Sequence, residues 1–191
     1  MIIIGITGTL GAGKGTVVDY LVTQKDFKHY SVRKFLTKLI EDEGDEVNRK
    51  SLVDIGNKLR AEHGSGYIVE QLFKEAQKSD GNCIIESIRN EGEIDSLKKL
   101  GEFYLLGVDA DPELRYKRIV ERQSETDKIS FQKFLEDEKR EMESTDPTKQ
   151  NLRRCIELAD YKIMNNGTIE DLDKRVSEIV YEIEKSGKER K

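Results

Sequence analysis

The sequence predicts an α/β fold of three layers, with a five-stranded parallel sheet between two layers of helices. Three observations carry this. The apolar runs are short and read as strands buried on both faces, the pattern of a parallel sheet. The segments between them repeat their apolar residues at helical spacing. A glycine-rich stretch follows the first run without a gap.

The elements follow in order. Ile2–Ile6 is the first strand, and Val17, Val18 and Leu21 mark the helix after the glycine stretch. Lys28–Tyr30 is a weaker strand. Ser31 is placed to cap a helix carrying Phe35, Leu36, Leu39 and Ile40. Leu52, Ile55 and Leu59 define one apolar face of a further helix, with Arg60 at its end. Cys83–Ile85, Phe103–Val108 and Tyr161–Met164 complete the five strands. Thr168 and Asp171 suit the start of a last helix, on which Leu172, Val176, Ile179, Val180 and Ile183 form one stripe. Segment 123–150 is dense in charge and poor in apolar residues, and reads equally as a mobile helical flap or a solvated helical hairpin.

At 191 residues the chain suits one domain. Charged residues are 37% and apolar residues 36%, a balance that suits charged helix surfaces on a soluble protein. No apolar run is long enough for a membrane span. Met1 leads straight into a strand with no basic leader, so the cytoplasm is the expected compartment. The net charge of −5 argues against a general nucleic-acid binder. Cys83 and Cys155 form no C-x-x-C and are expected as reduced core thiols. His29 and His63 lack metal-site spacing and are assigned no role. Arg115 is expected to form a pair on a helix surface.

The glycine stretch is Gly8-Thr9-Leu10-Gly11-Ala12-Gly13-Lys14-Gly15-Thr16. Glycines let successive backbone N–H groups turn inward as an anion nest, and the following helix N-terminus adds partial positive charge. Gly8, Gly13 and Lys14 satisfy G-x-x-x-x-G-K, with a strand before and a helix after. A lysine at a helix start is otherwise a costly placement, because that end of the helix is already positive. These residues therefore point to binding of nucleotide phosphates. The hydroxyl that commonly follows the lysine stands one position later, at Thr16.

The pattern G-x-x-G-x-G-K-G-T resembles the phosphate loop of adenylate kinase and its relatives among the P-loop nucleoside monophosphate kinases, with Leu10 where adenylate kinase usually has proline. Ile2–Gly8 and Ala159–Leu172 resemble dephospho-CoA kinase, which implies that Asn165 and Gly167 lie near adenine. Val108–Arg122 resembles the strand and helix before the lid in both groups. Arg118 and Arg122 match their R-x-x-x-R, which implies contacts to ATP. Cys83–Asn90 resembles a strand with an acidic end followed by an arginine. That implies Glu86, with Thr16, near Mg²⁺, and Arg89 on an acceptor phosphate; the alternatives are a buried structural acid, and an ion pair of Arg89 with Glu91 or Glu93.

One departure matters. Dephospho-CoA kinase carries Asp-x-Asp after its second strand, and here that place reads His29-Tyr30-Ser31-Val32-Arg33-Lys34. A hydroxyl nucleophile benefits from a base, whereas an acceptor phosphate needs cations around it. Ser31, Arg33 and Lys34 suit the second need, with Arg89 across the sheet edge, and Arg60 either joins them or is solvated. The expectation is an α/β/α P-loop domain over 1–191, with an acceptor-binding helical segment over about 31–78 and a lid over about 123–150. Its expected activity is ATP- and Mg²⁺-dependent transfer to a small nucleotide-like acceptor, catalysed with Lys14, Arg118, Arg122 and Glu86, by a monomer or homodimer. The rivals are dephospho-CoA kinase and a regulatory nucleotide-binding ATPase.

Overall fold

The computed structural model describes residues 1–122, 129–146 and 148–189. Five parallel strands form one sheet in the order β2-β3-β1-β4-β5: β1 Ile2–Gly8, β2 Lys28–Ser31, β3 Cys83–Glu86, β4 Glu102–Asp109 and β5 Tyr161–Met164. All five runs read as strands are strands. Ile4 of the central strand stands beside Ile84 on one side and Tyr104 on the other.

Side chains alternate across the sheet with the period of two that a pleated strand imposes. Ile3, Cys83, Ile85, Phe103 and Leu105 enter one core. Ile4, Ile6, Ile84, Leu106 and Val108 enter the other. The first core is covered by α2 (Val32–Asp42), α3 (Arg49–His63), α4 (Tyr67–Ala76), α5 (Glu91–Leu100) and α8 (Leu152–Glu157). The second is covered by α1 (Lys14–Lys25) and α9 (Ile169–Glu189), whose Leu172, Val176, Ile179, Val180 and Ile183 are all buried, as their stripe predicts. Both cysteines lie in the first core, where burial pushes the thiols of Cys83 and Cys155 up to about 11 and about 12. Among the described residues no helix is long and apolar enough to cross a membrane.

Local signals set the helix starts. The Ser31 hydroxyl accepts from the Lys34 amide, and Thr168 and Asp171 satisfy one another's backbone donors. Two helices, α6 (Pro112–Arg122) and α7 (Phe131–Met142), lie over the carboxyl edge of the sheet. Much of the segment 123–150 is therefore helical, but it is not simply solvated: Phe134 is only 1% exposed and packs with Tyr116 and Phe131. Residues 123–128 and 147 of that segment lie outside the described residues.

Candidate active site

The first strand ends at Gly8, and the chain turns at once into the glycine loop. Gly8, Gly11 and Gly13 all have positive φ, at 141°, 81° and 98°. At Gly8 a Cβ would lie 1.9 Å from the Val108 carbonyl oxygen. At Gly13 it would lie 2.3 Å from the Asn165 amide nitrogen, the same nitrogen that donates to the Ala12 carbonyl at 2.9 Å. Only glycine allows both the dihedrals and these approaches. Asn165, at the end of β5, thereby braces the loop. Thr9 ties it to β4 by donating to Asp109.

Lys14 begins α1, and its ammonium donates to the carbonyls of Gly8 at 2.9 Å and Thr9 at 2.7 Å. Burial, reinforced by the nearby Arg89 charge and opposed by Glu86 and Glu141, lowers its pKa to about 7. A buried ammonium with only neutral carbonyls as hydrogen-bond partners is poised for a multiply charged anion. One cavity gathers the loop residues Leu10, Gly11, Gly13, Lys14, Gly15 and Thr16 with Glu86, Arg89, Arg118, Arg122, Asn165 and Gly167. Nη1 of Arg118 is buried there and has no hydrogen-bond partner among the described residues. An unpaired buried donor is costly, so this nitrogen fits a ligand oxygen.

A second cavity adjoins the first. Leu10, Arg33, Ser87 and Arg89 line both; the second adds apolar Val32, Leu36, Leu52 and Val53, with Arg49, Arg60, Glu141 and Gln150. Arg33 is thus on the boundary between the two. Ser31 is absent from either lining. Its hydroxyl donates to Glu86 at 3.1 Å and accepts from the Lys34 amide, so it positions that carboxylate and caps α2. The register of β2 against β3 makes this contact, because Ser31 and Glu86 are paired. Ser87, which also donates to Glu86, has φ of 68°, a left-handed conformation that few non-glycine residues adopt. His29 packs behind, its Nε2 3.7 Å from Glu86, and desolvation lowers its pKa against the opposing pull of that carboxylate.

The arginines find partners that the sequence did not indicate. Arg89 pairs with Glu141 of α7 at 2.7 Å, not with Glu91 or Glu93; only its backbone N–H reaches Glu93. Arg60 is not solvated. It is 2% exposed and donates from Nε to Glu93 at 3.1 Å and from Nη1 to Asn57. Arg115 is not on the surface: it is 3% exposed, donates to the carbonyls of Leu10 and Ala110, pairs with Glu138 and lies over the Phe134 ring. It is a strut between the glycine loop and α7. Arg49, Glu93, Glu138 and Glu141 were missed. The signals available were the capping boxes Asn48–Ser51 and Asn90–Glu93, and the i, i+4, i+7 spacing of Phe134, Glu138 and Glu141.

Metal-binding groups are sparse. Among the described residues no group of three or more His, Cys, Asp or Glu is arranged to hold a metal. The hard oxygens of Thr16, Asp19 and Glu86 do line the phosphate-loop cavity. That donor set fits Mg²⁺ held largely by phosphate oxygens and water, the usual manner for this ion.

The fold defines the class. Solved structures of small-molecule kinases superpose over nearly the whole chain. Shikimate kinase from Aquifex aeolicus matches with a TM-score of 0.53 at 16% identity, covering 97% of this chain and 98% of its own. A gluconokinase from Sinorhizobium meliloti matches with 0.56 at 11% identity, covering 91% and 87%. This is the P-loop kinase fold, in line with the resemblance to the nucleoside monophosphate kinase-like superfamily. The chain belongs to the family described as an AAA domain, whose model matches residues 4–146. It is 28% identical over 181 residues to a UPF0200 protein of Sulfurisphaera tokodaii, covering 95% of this chain and 97% of that one.

Proposed function

We propose that the protein is an ATP-dependent phosphotransferase whose acceptor is a small phosphate-bearing molecule of the nucleoside monophosphate type. The observation that carries this is the junction of the two cavities. A phosphate loop with Lys14 lines one; an apolar chamber with Arg33, Arg49, Arg60 and Arg89 lines the other; Arg33 and Arg89 belong to both. A phosphoryl group passing between them would travel along a row of cations. In the reaction, an acceptor phosphate oxygen bonds to the γ-phosphorus, the bond to the bridging oxygen breaks, and ADP leaves. Lys14, Arg118 and Arg122 line the first cavity and offset charge on the transferring group, where most catalysis of this reaction lies. Mg²⁺, with Thr16 and Glu86 beside it, supplies charge neutralisation on the phosphates. On this reading segment 31–78 covers the acceptor, and so does the described part of segment 123–150, whose Glu141 and Gln150 line the acceptor chamber while none of its described residues lines the phosphate-loop cavity.

The Ser31–Glu86 hydrogen bond favours a second reading. It brings a carboxylate to the end of β2, where a hydroxyl acceptor would need a base, as in a dephospho-CoA kinase. Comparing kcat/KM for a nucleoside, its monophosphate and dephospho-CoA separates the two. A site built around a phosphate rejects the bare nucleoside by roughly 10⁴-fold, and Arg89→Ala should erase much of that preference while changing ATP affinity little. Phosphate appearing on the ribose hydroxyl of dephospho-CoA, as the best substrate, would establish the second reading. ADP release independent of every acceptor would leave the regulatory ATPase.

A further inference from the structure

The pair Arg49–Arg89 closes on a carboxylate from another part of the chain. Arg49 is the first residue of α3, and Arg89 follows β3. Between them lies Glu141, in the last turn of α7. Its Oε1 accepts from Arg49 Nε at 3.0 Å and Nη2 at 2.5 Å, and its Oε2 accepts from Arg89 Nη1 at 2.7 Å. All three residues line the apolar chamber assigned above to the acceptor. The Glu141 side chain is 14% exposed. Burial alone would raise its carboxyl, but the Arg89 and Arg49 charges and hydrogen bonds outweigh that and hold it below the usual range.

Two guanidinium groups around one carboxylate leave an excess of positive charge. Among the described residues Arg89 Nη1 also donates to the Gln150 amide oxygen at 3.4 Å, a neutral acceptor. A phosphate monoester carries more charge than a carboxylate and has three acceptor oxygens, so it suits the same fork better. The manner in which Glu141 is held also allows exchange. Glu93, the other carboxylate of this region, accepts two backbone N–H groups as well as Arg60, and is fixed in place. The hydrogen bonds of Glu141 run to guanidinium groups, and one and two turns back on the same face Glu138 and Phe134 hold α7 to the core through Arg115 and Tyr116. Releasing Glu141 therefore unties the last turn of α7 from Arg49 and Arg89, while the rest of the helix stays attached and the Glu143–Arg153 and Ser144–Asn151 contacts beyond it remain.

We infer that Glu141 is a built-in counter-anion of the acceptor site: it partly neutralises Arg49 and Arg89 until the acceptor's phosphate takes its place, and the exchange unties the last turn of α7 from these two arginines. The inference rests on the kinase reading for the identity of the acceptor. The exchange makes Glu141 a competitor that weakens acceptor binding and links that binding to the last turn of α7.

Calorimetric titration of the full chain with 5′-AMP and with inorganic phosphate, without ATP, tests this. Glu141→Gln keeps the side-chain shape and removes the charge, so both ligands should bind about 10-fold more tightly or better, the size of one charge-assisted hydrogen bond. Equal or weaker binding would overturn the inference, because Glu141 would then merely hold the arginines in place. Should the variant fold poorly, amide exchange in the wild type decides: phosphate should speed exchange over 138–146, and unchanged or slowed exchange there sinks the idea. Acceptor-dependent ADP release with no gain in the variant would refute this inference alone. Tighter binding with no turnover of any monophosphate would instead refute the kinase reading.

Discussion

Lys14 offers a quantitative test of the phosphate loop through protons. Its pKa falls from 10.5 to about 7, chiefly through burial. For a lysine this means that the native state prefers the neutral amine. Between pH 7 and 10.5 the unfolded chain therefore binds the extra proton, and this group's contribution to stability rises with pH across that window. Below pH 7 the cost of holding the ammonium in this half-buried place is fully present. A triphosphate reverses the situation. Its charge favours the ammonium, so binding at pH 8, where about a tenth of the lysine is charged, should draw in roughly 0.9 proton per nucleotide. Affinity should fall roughly 20-fold from pH 7.5 to pH 9, since the protein must take up a proton that becomes scarcer. Titration calorimetry of ATP in two buffers of different ionisation enthalpy measures the uptake directly. Lys14→Met should abolish it. Uptake near zero at pH 8 in the wild type, or equal uptake in the variant, would refute the claim that this lysine meets the phosphates.

Two further outcomes follow from the packing around the site. Glu93→Gln removes the charge facing the buried Arg60 and should destabilise the fold by about 3 kcal/mol or more, read from chemical denaturation; a cost below about 1 kcal/mol would show that Arg60 is already compensated elsewhere. Gly13→Ala forces a side chain into a φ of 98° and against Asn165, so the loop must shift. Nucleotide affinity should drop by about 10-fold or more, with the thermal midpoint lowered modestly; unchanged affinity would mean that the loop conformation is not what binds.

What could be read from the sequence was what depends on near neighbours. The strands β1, β3 and β4 announce themselves because they are buried on both faces, whereas the edge strands β2 and β5 are largely half-buried or exposed and are legible only as short runs between helical patterns. The loop is legible because the same few residues that need unusual dihedrals also supply the anion site. Ser31 and Thr168 are legible as caps because a cap's partner lies three residues away. The cations were harder. Arg60 finds Glu93 across 33 residues, Arg115 finds Glu138 across 23, and Arg89 finds Glu141 across 52. In the sequence nearer acids compete for the assignment: Glu91 beside Arg89 loses, while Arg115 keeps Asp109 at 3.6 Å in addition to Glu138.

The deciding factor is burial, and it sorts the carboxylates by what else they must do. Glu93 is 0% exposed and closes the capping box of α5. A charge so deep is tolerated only when it is paired and hydrogen-bonded, and here two backbone donors and one arginine serve it. Such a group cannot leave its place without unwinding a helix start, so Arg60 is committed to structure. Glu138 is committed in a similar way, because the arginine it holds also supports the Leu10 carbonyl of the glycine loop. Glu141 differs from both. It begins no helix, accepts from two guanidinium groups on separate elements, and lies in a cavity wall. Among the acid–arginine contacts described at this edge of the sheet, the exchange inferred above therefore falls on Glu141, whose loss would leave the helix start held by Glu93 and the strut held by Glu138 in place.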